Sequence, residues 1–172
     1  MQLSDVQKRF ILHWGEMGTR WGITRSMAQI QALLYISPQP LHAEEIAATL
    51  AVARSNVSTS LRELQGWGIV KVVHVFGDRR DHFETEKDVW ALFHRILDER
   101  KRREIEPTVA TLKACLADGG ESGEVRQRIA DMLEFFELTS RWYETVGALP
   151  KGVLVKLAKL GDKVPKKLGL TP

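Results

Sequence analysis

Residues 41–85 read LHAEEIAATLAVARSNVSTSLRELQGWGIVKVVHVFGDRRDHFET, and the order of patterns within this stretch sets the fold. Ala43, Ile46, Ala47 and Leu50 fall at i, i+3, i+4 and i+7, on one face of a helix from His42 to about Leu50. Glu44 and Glu45 occupy its first turn, where negative charge suits the positive end of the helix dipole. Ala51 and Val52 make a short connection. A second helix, about Ala53 to Trp67, buries Val57, Leu61 and Leu64 at helical spacing. Gly66 and Gly68 fit its end, since glycine accepts the left-handed conformation that stops a helix. Residues 69–76 (IVKVVHVF) have the β-branched and aromatic composition of a strand, and residues 81–85 (DHFET) are its expected return partner. Gly77-Asp78 supplies the turn between them, and Arg79 and Arg80 come directly after it.

The outer face of the second helix is unusual for a solvated surface. It carries Ser55, Thr59 and Arg62, flanked by Asn56, Ser58 and Glu63, with Arg54 at its start. Short hydroxyl and amide side chains beside arginine can meet phosphate oxygens or base edges at close range. An arginine at a hairpin tip can reach into a narrow minor groove. The bland alternative for Arg79 and Arg80 is a pair of ordinary exposed side chains on a turn.

The pattern Leu41-x-x-x-x-Ile46-Ala47-x-x-Leu50, Ser55-Asn56-Val57-Ser58, Leu61-Arg62-x-Leu64-x-x-Trp67-Gly68, then Gly77-Asp78-Arg79-Arg80-Asp81-x-Phe83 resembles the winged helix-turn-helix regulators of the MarR superfamily. Its GbsR-like branch is the closer match. Trp14-Gly15-x-x-Gly18, Ala28-Gln29-Ile30-x-Ala32-Leu33-Leu34-Tyr35 and the run Glu99-Arg100-Lys101-Arg102-Arg103-Glu104-Ile105-Glu106-Pro107 are similar to that branch too, so the resemblance spans residues 4–116. It implies a mostly α fold with a small β-hairpin wing and long flanking dimerisation helices. It also implies a homodimeric transcriptional regulator, a repressor, that binds a pseudo-palindromic operator in double-stranded DNA. Ser55, Asn56, Ser58, Thr59 and Arg62 would then face the groove, with Arg54 beside them. Arg79 and Arg80 would be wing contacts, Lys71 would add to the cationic footprint, and Asp78 would orient a neighbouring arginine. Where the family commonly has Ser at the start of the recognition helix, this chain has Ala53, which gives up a capping bond worth ~0.5–2 kcal/mol and leaves Ser55 as an alternative helix start. Regulators of that branch respond to small ligands, quaternary amines such as choline among them. Trp14, Trp21, Trp142 and Tyr143, with Trp90, are the aromatic candidates for cation–π contact with such an effector; packing in the core or at an interface is the competing role.

Length and composition suit one domain with a tail: 172 residues, 44% hydrophobic and 27% charged. We expect a winged lobe over residues 24–87, a helical dimerisation part from 1–23 with 88–147, and a basic tail over 148–172. No apolar run reaches the ~18 residues of a membrane span, and the N-terminus lacks an apolar signal core, so the expected location is the cytoplasm. The one cysteine, Cys115, shares a helical stripe with Leu112 and Leu116 and is expected to be buried.

The net charge of +3 conceals an asymmetry. Residues 151–172 hold six lysines and one acid, so residues 1–150 carry a net −2. Residues 53–80 hold five basic residues against two acidic, so nucleic-acid binding has to rest on local arrangement and not on overall basicity.

Outside the central stretch, Ser4 or Asp5 caps a helix with Val6, Phe10, Trp14 and Met17 on one side, and Gly18 and Gly22 punctuate its far end. Thr24 caps the next, with Met27, Ile30, Leu33 and Leu34 inward, and Ser37-Pro38 stops it. Asp88 caps a long helix whose apolar face is Val89, Leu92, Phe93, Ile96 and Leu97. Glu99 pairs with Arg103 in the charge run, and Pro107 is expected to kink or break the helix. A helix over 124–146 turns Val125, Ile129, Met132, Leu133, Phe136 and Tyr143 mostly inward. More apolar surface on these helices than one lobe can cover points to an isologous dimer. The tail alternates Val153, Leu154, Leu157 and Leu160 with Lys151, Lys156 and Lys159, a short basic amphipathic helix ended by Gly161 and Pro165.

No P-loop, dinucleotide fingerprint or Gly-x-Ser-x-Gly is present, and the five histidines lack metal spacing, so neither an enzyme nor a cofactor is expected. His74 and His82 could face each other across the ribbon. Two competing readings are a winged-helix module that binds protein without DNA and a peripheral membrane protein held by the tail.

Overall fold

A computed structural model describes residues 2–120 and 122–161. These divide into two compact units, one ending at Ile96 and the other beginning at Leu97. Among the described residues, no helix is long and apolar enough to cross a membrane.

The first unit is built from α1 (Asp5–Arg20), α2 (Arg25–Ile36), β1 (Leu41–His42), α3 (Ala43–Leu50), α4 (Arg54–Gly66), β2 (Val70–Val73) and β3 (His82–Thr85), with the start of α5 (Val89–Arg100). The three strands form one antiparallel sheet in the order β1-β3-β2. Ile30, Leu33, Leu34, Leu41, Ile46, Val57, Leu61 and Leu64 are its most deeply buried large side chains, so α2, α3 and α4 share one core under the sheet. Burying the apolar stripe of each helix in a common core, at ~25 cal/mol per Å², is what holds these short elements together.

Several ends obey the expected chemistry. Ser4 caps α1 in a reciprocal box with Gln7, and the Thr24 hydroxyl accepts from the Met27 N–H at 3.2 Å. α2 stops at Ile36, before the extended Ser37. The Asp88 carboxylate accepts from the N–H groups of Trp90 and Ala91 at 2.8 and 3.1 Å. Beyond the wing, the Lys87 ammonium donates to the carbonyls of Leu34, Tyr35 (3.1 Å) and Ser37 (2.8 Å). This satisfies the otherwise orphaned end of α2, where positive charge is also favoured by the dipole. α3 turns into α4 through Ala51, which adopts a left-handed conformation (φ 53°) that costs an alanine roughly 1–2 kcal/mol.

The sheet and two of the helices in this unit depart from expectation. The strand expected over 69–76 is ordered only from Val70 to Val73, and its partner begins at His82, because the ladder ends at the Val73–His82 pair. His82 therefore faces Val73, and its ring meets His42 edge-on at 5.5 Å instead of His74. A third strand, Leu41–His42, pairs with β3; two residues are too few for periodicity to register. On α1 the buried positions are Ile11, Gly15 and Gly18, whereas Val6 is exposed. Gly18 does not punctuate the helix but lies inside it, against Ala28 of α2 and Ile23 of the turn before α2. Val89 and Phe93 of α5 are exposed, leaving Leu92 as its buried anchor.

The second unit continues from α5 through a π-helical turn, Lys101–Ile105, into α6 (Glu106–Ala117), then α7 (Gly123–Gly147) and α8 (Lys151–Gly161). Pro107 does not break the helix. The Glu106 N–H bonds back to the Lys101 carbonyl across the widened turn, so Pro107 enters the first turn of α6, where its missing N–H leaves nothing unmet. Glu99, nearly buried, is gripped by Arg102 and Arg103, and these guanidiniums hold its carboxyl below the usual range. Neither α6 nor α7 holds a buried residue. Ile129, Leu133, Phe136 and Tyr143 of α7 are half-buried, while Val125 and Met132, expected inward, are exposed. Two helices side by side cover only one stripe of each other. Cys115 is exposed for that reason, beside the part-covered Leu112 and Leu116. Leu154 of α8 is buried; Lys163, Lys166, Lys167 and the expected stop at Pro165 lie outside the described residues.

Candidate nucleic-acid interface

α4 presents its outer face because Val57, Ser60, Leu61 and Leu64 fix the opposite face in the core. The helix starts at Arg54 with Ala53 as its uncapped N-cap, so Arg54 is helical and the alternative start at Ser55 does not occur. Ser55, Asn56, Thr59 and Arg62 are exposed, and Ser58 is half-buried. A groove of about 360 Å³ separates α3 and α4 from the wing, with Glu44, Arg54, Ser58, Arg62 and Arg80 among its walls.

The ten candidate residues fall into two groups. Ser55, Thr59, Arg62 and Arg79 have side chains with no hydrogen bond or ion pair among the described residues, and all four are exposed. The other six are engaged. Arg54 donates to the Glu44 carboxylate at 3.0 Å and to the Ser58 hydroxyl, which itself donates to the Arg54 carbonyl. Asn56 donates to the Ser26 hydroxyl at 2.9 Å, tying α4 to the start of α2. Lys71 pairs with Glu84 across the ladder at 2.9 Å. At the wing, Asp78 accepts from the Arg80 backbone N–H at 3.0 Å and from its guanidinium Nε at 2.9 Å. Asp78 thus orients Arg80, folding it back onto the turn and leaving Arg79 outward.

These pairs polarise the acids. The Arg80 guanidinium, with a smaller part from the Arg80 backbone N–H, holds the Asp78 carboxyl well below the usual carboxylate range. Arg54 is the main cause that brings Glu44 down to about 2, helped by the backbone N–H of Glu44 and by His42. Glu44 is exposed and Asp78 half-buried at the surface of the turn, so their value lies in positioning arginines more than in stability. Glu44 is the site residue that periodicity does not single out. It reads as a first-turn helix acid, and its partnership with Arg54, ten positions on, depends on the angle between α3 and α4.

The aromatic candidates form two groups. Trp14 stacks on Phe10 and meets Trp21 edge-on, each at 5.5 Å, in the first unit. Trp142 and Tyr143 meet edge-on at 6.0 Å in the second. Trp90 sits at the start of α5.

A helix pair under a three-stranded sheet, with a polar helix beside a cationic hairpin, defines a winged helix-turn-helix protein, the architecture of transcription regulators. Residues 21–81 of this chain match the model of the MarR family. It is 26% identical over 98 residues to the HTH-type transcriptional repressor GbsR of Bacillus subtilis (strain 168), a match covering 57% of this chain and 54% of that protein. The chain therefore spans about half the length of that relative. A solved structure described as a transcriptional regulator superposes with a TM-score of 0.69 at 20% identity, over 83% of this chain and 95% of that one, and shows the same fold.

Proposed function

We propose that this protein is a cytoplasmic, homodimeric repressor that binds a pseudo-palindromic operator in double-stranded DNA; the similar GbsR protein is named an HTH-type transcriptional repressor. The observation that carries the reading is the exposed polar face of α4 beside an outward Arg79, with four side chains left unengaged while the rest are locked in pairs. Unengaged donors can meet a groove without first breaking a bond inside the protein, and the backbone of α4 is already ordered. α4 enters the major groove, Arg62 contacts bases or phosphate, and the wing lies over the adjacent backbone and minor groove. Dimerisation is supported by α7, where Met132, Phe135, Leu138 and Trp142 form an exposed apolar stripe on a helix that buries none of its residues. A second copy covers such a stripe by symmetry and sets two recognition helices about one DNA turn, ~34 Å, apart.

The test is selection from a random duplex library by the purified protein, with sedimentation to measure its mass. Enrichment of a two-fold symmetric sequence bound by a dimer is expected. A protein that enriches no duplex is instead the protein-binding module favoured by the net −2 of residues 1–150.

Phe10, Trp14 and Trp21 supply the effector part of this reading, since stacked and edge-on rings attract a quaternary ammonium through their faces. Choline or betaine at millimolar concentration is expected to shift tryptophan fluorescence and weaken operator binding. Unchanged fluorescence and unchanged binding would remove quaternary amines from the proposal.

A further inference from the structure

The wing tip carries an aromatic side chain that the fold does not use. Phe76 is 106% exposed, and its neighbour Val75 is 40% exposed. The ladder ends three residues earlier at the Val73–His82 pair, so Phe76 takes no part in the sheet. The tip itself is well defined. Gly77 takes φ 84°, the Asp78 N–H donates to the Val75 carbonyl at 3.1 Å, and Asp78 fixes Arg80 through backbone and side chain. Arg80 is exposed but paired with Asp78, so Phe76 and Arg79 are the large side chains that this turn leaves outward and unengaged.

We propose that Phe76 is a minor-groove wedge, a contact that rests on the DNA reading above. Arg79 supplies the charge that draws the tip into the groove, and the Phe76 ring presses against or between base pairs there. Apolar wedges of this kind partly unstack a base step and kink the duplex, and the cost of unstacking is recovered by the closer wrap. Pyrimidine–purine steps, TA and CA, unstack most readily, so Phe76 makes the protein prefer such a step beneath the wing without a hydrogen bond to it. The hydrophobic contact releases no counterions and so is independent of salt, unlike that of Arg79.

The experiment uses the full-length protein and the duplex it selects, labelled with 2-aminopurine at the step beneath the wing. Wild-type protein is expected to raise 2-aminopurine fluorescence and bend the duplex in a circular-permutation assay. Phe76→Ala is expected to abolish the rise, reduce the bend and weaken binding roughly tenfold, with an unchanged salt slope. Phe76→Leu, which keeps an apolar wedge, is expected to retain most of the bend. Wild-type binding without a fluorescence rise, or a Phe76→Ala protein that binds and bends as wild type does, overturns the wedge and leaves the DNA reading standing. A Phe76→Ala protein whose sedimentation shows a smaller assembly also overturns it, because Phe76 would then be a protein contact. Failure of the wild-type protein to select any duplex overturns both.

Discussion

The double variant Arg62→Ala/Arg79→Ala is expected to bind the selected operator at least a hundredfold more weakly than the wild type, while its fold and assembly stay the same. These two arginines sit on different elements, one on the outer face of α4 and one at the wing tip, and neither is tied to an acid. Each is free to deliver its full charge to the duplex. A bidentate contact between arginine and a base is worth ~1–3 kcal/mol, and a phosphate contact contributes about one unit to the salt slope. A dimer loses four arginines at once, so the plot of log affinity against log salt should flatten by up to roughly four units if all four meet phosphate. Lys71→Ala is the matched control: that ammonium is already paired with Glu84, and its removal should change affinity little. Titration at several salt concentrations decides the matter. Equal binding by the double variant and the wild type would place the DNA surface elsewhere.

Gly18→Val is expected to destabilise the winged unit by about 3 kcal/mol or more, which moves the midpoint of urea unfolding sharply downward. A Cβ at position 18 would lie 2.3 Å from the Cβ of Ala28 and 3.2 Å from Ile23 Cγ1. Ala28 cannot swing away, so α1 itself must lift from α2. A branched side chain adds two further methyl groups to the same gap. Gly15→Ala makes the contrast. The atom it meets at 2.7 Å is Gln29 Cγ, on a flexible side chain, and alanine recovers roughly 1 kcal/mol of helix propensity over glycine. We expect Gly15→Ala to be close to neutral. Unfolding midpoints tracked by tryptophan fluorescence separate the two, and a Gly18→Val protein as stable as the wild type would mean that α1 does not pack as described.

The winged module is legible from residues 41–85 because each of its helices owns a complete apolar stripe. Val57, Leu61 and Leu64 have to face inward, and that alone fixes which side chains α4 can show. α1 is harder. Its bulky residues suggest a face through Val6 and Met17, but the seam runs through Gly15 and Gly18, because glycine permits the closest approach of two backbones and leaves no mark in a hydrophobic pattern. The wing reads too long for a related reason. His74, Val75 and Phe76 have strand composition, yet a strand needs a partner, and the ladder ends at Val73. Pro107 reads as a break because a proline removes one N–H; a five-residue π turn absorbs that loss, and periodicity does not anticipate it.

The sequence by itself determined the order of the helices and of the two wing strands, the caps at Thr24 and Asp88, the core face of each central helix and the set of polar residues opposite it. These are local properties, settled by spacing and by the hydrogen-bonding chemistry of single residues. Tertiary structure alone decided which arginines are free. Arg54 is held by Glu44 because α3 and α4 cross at a particular angle, and Arg80 is held by Asp78 because the turn brings them together. Charge can be counted along a chain, but whether a charge is already spent on a neighbour depends on distances that only the folded molecule sets.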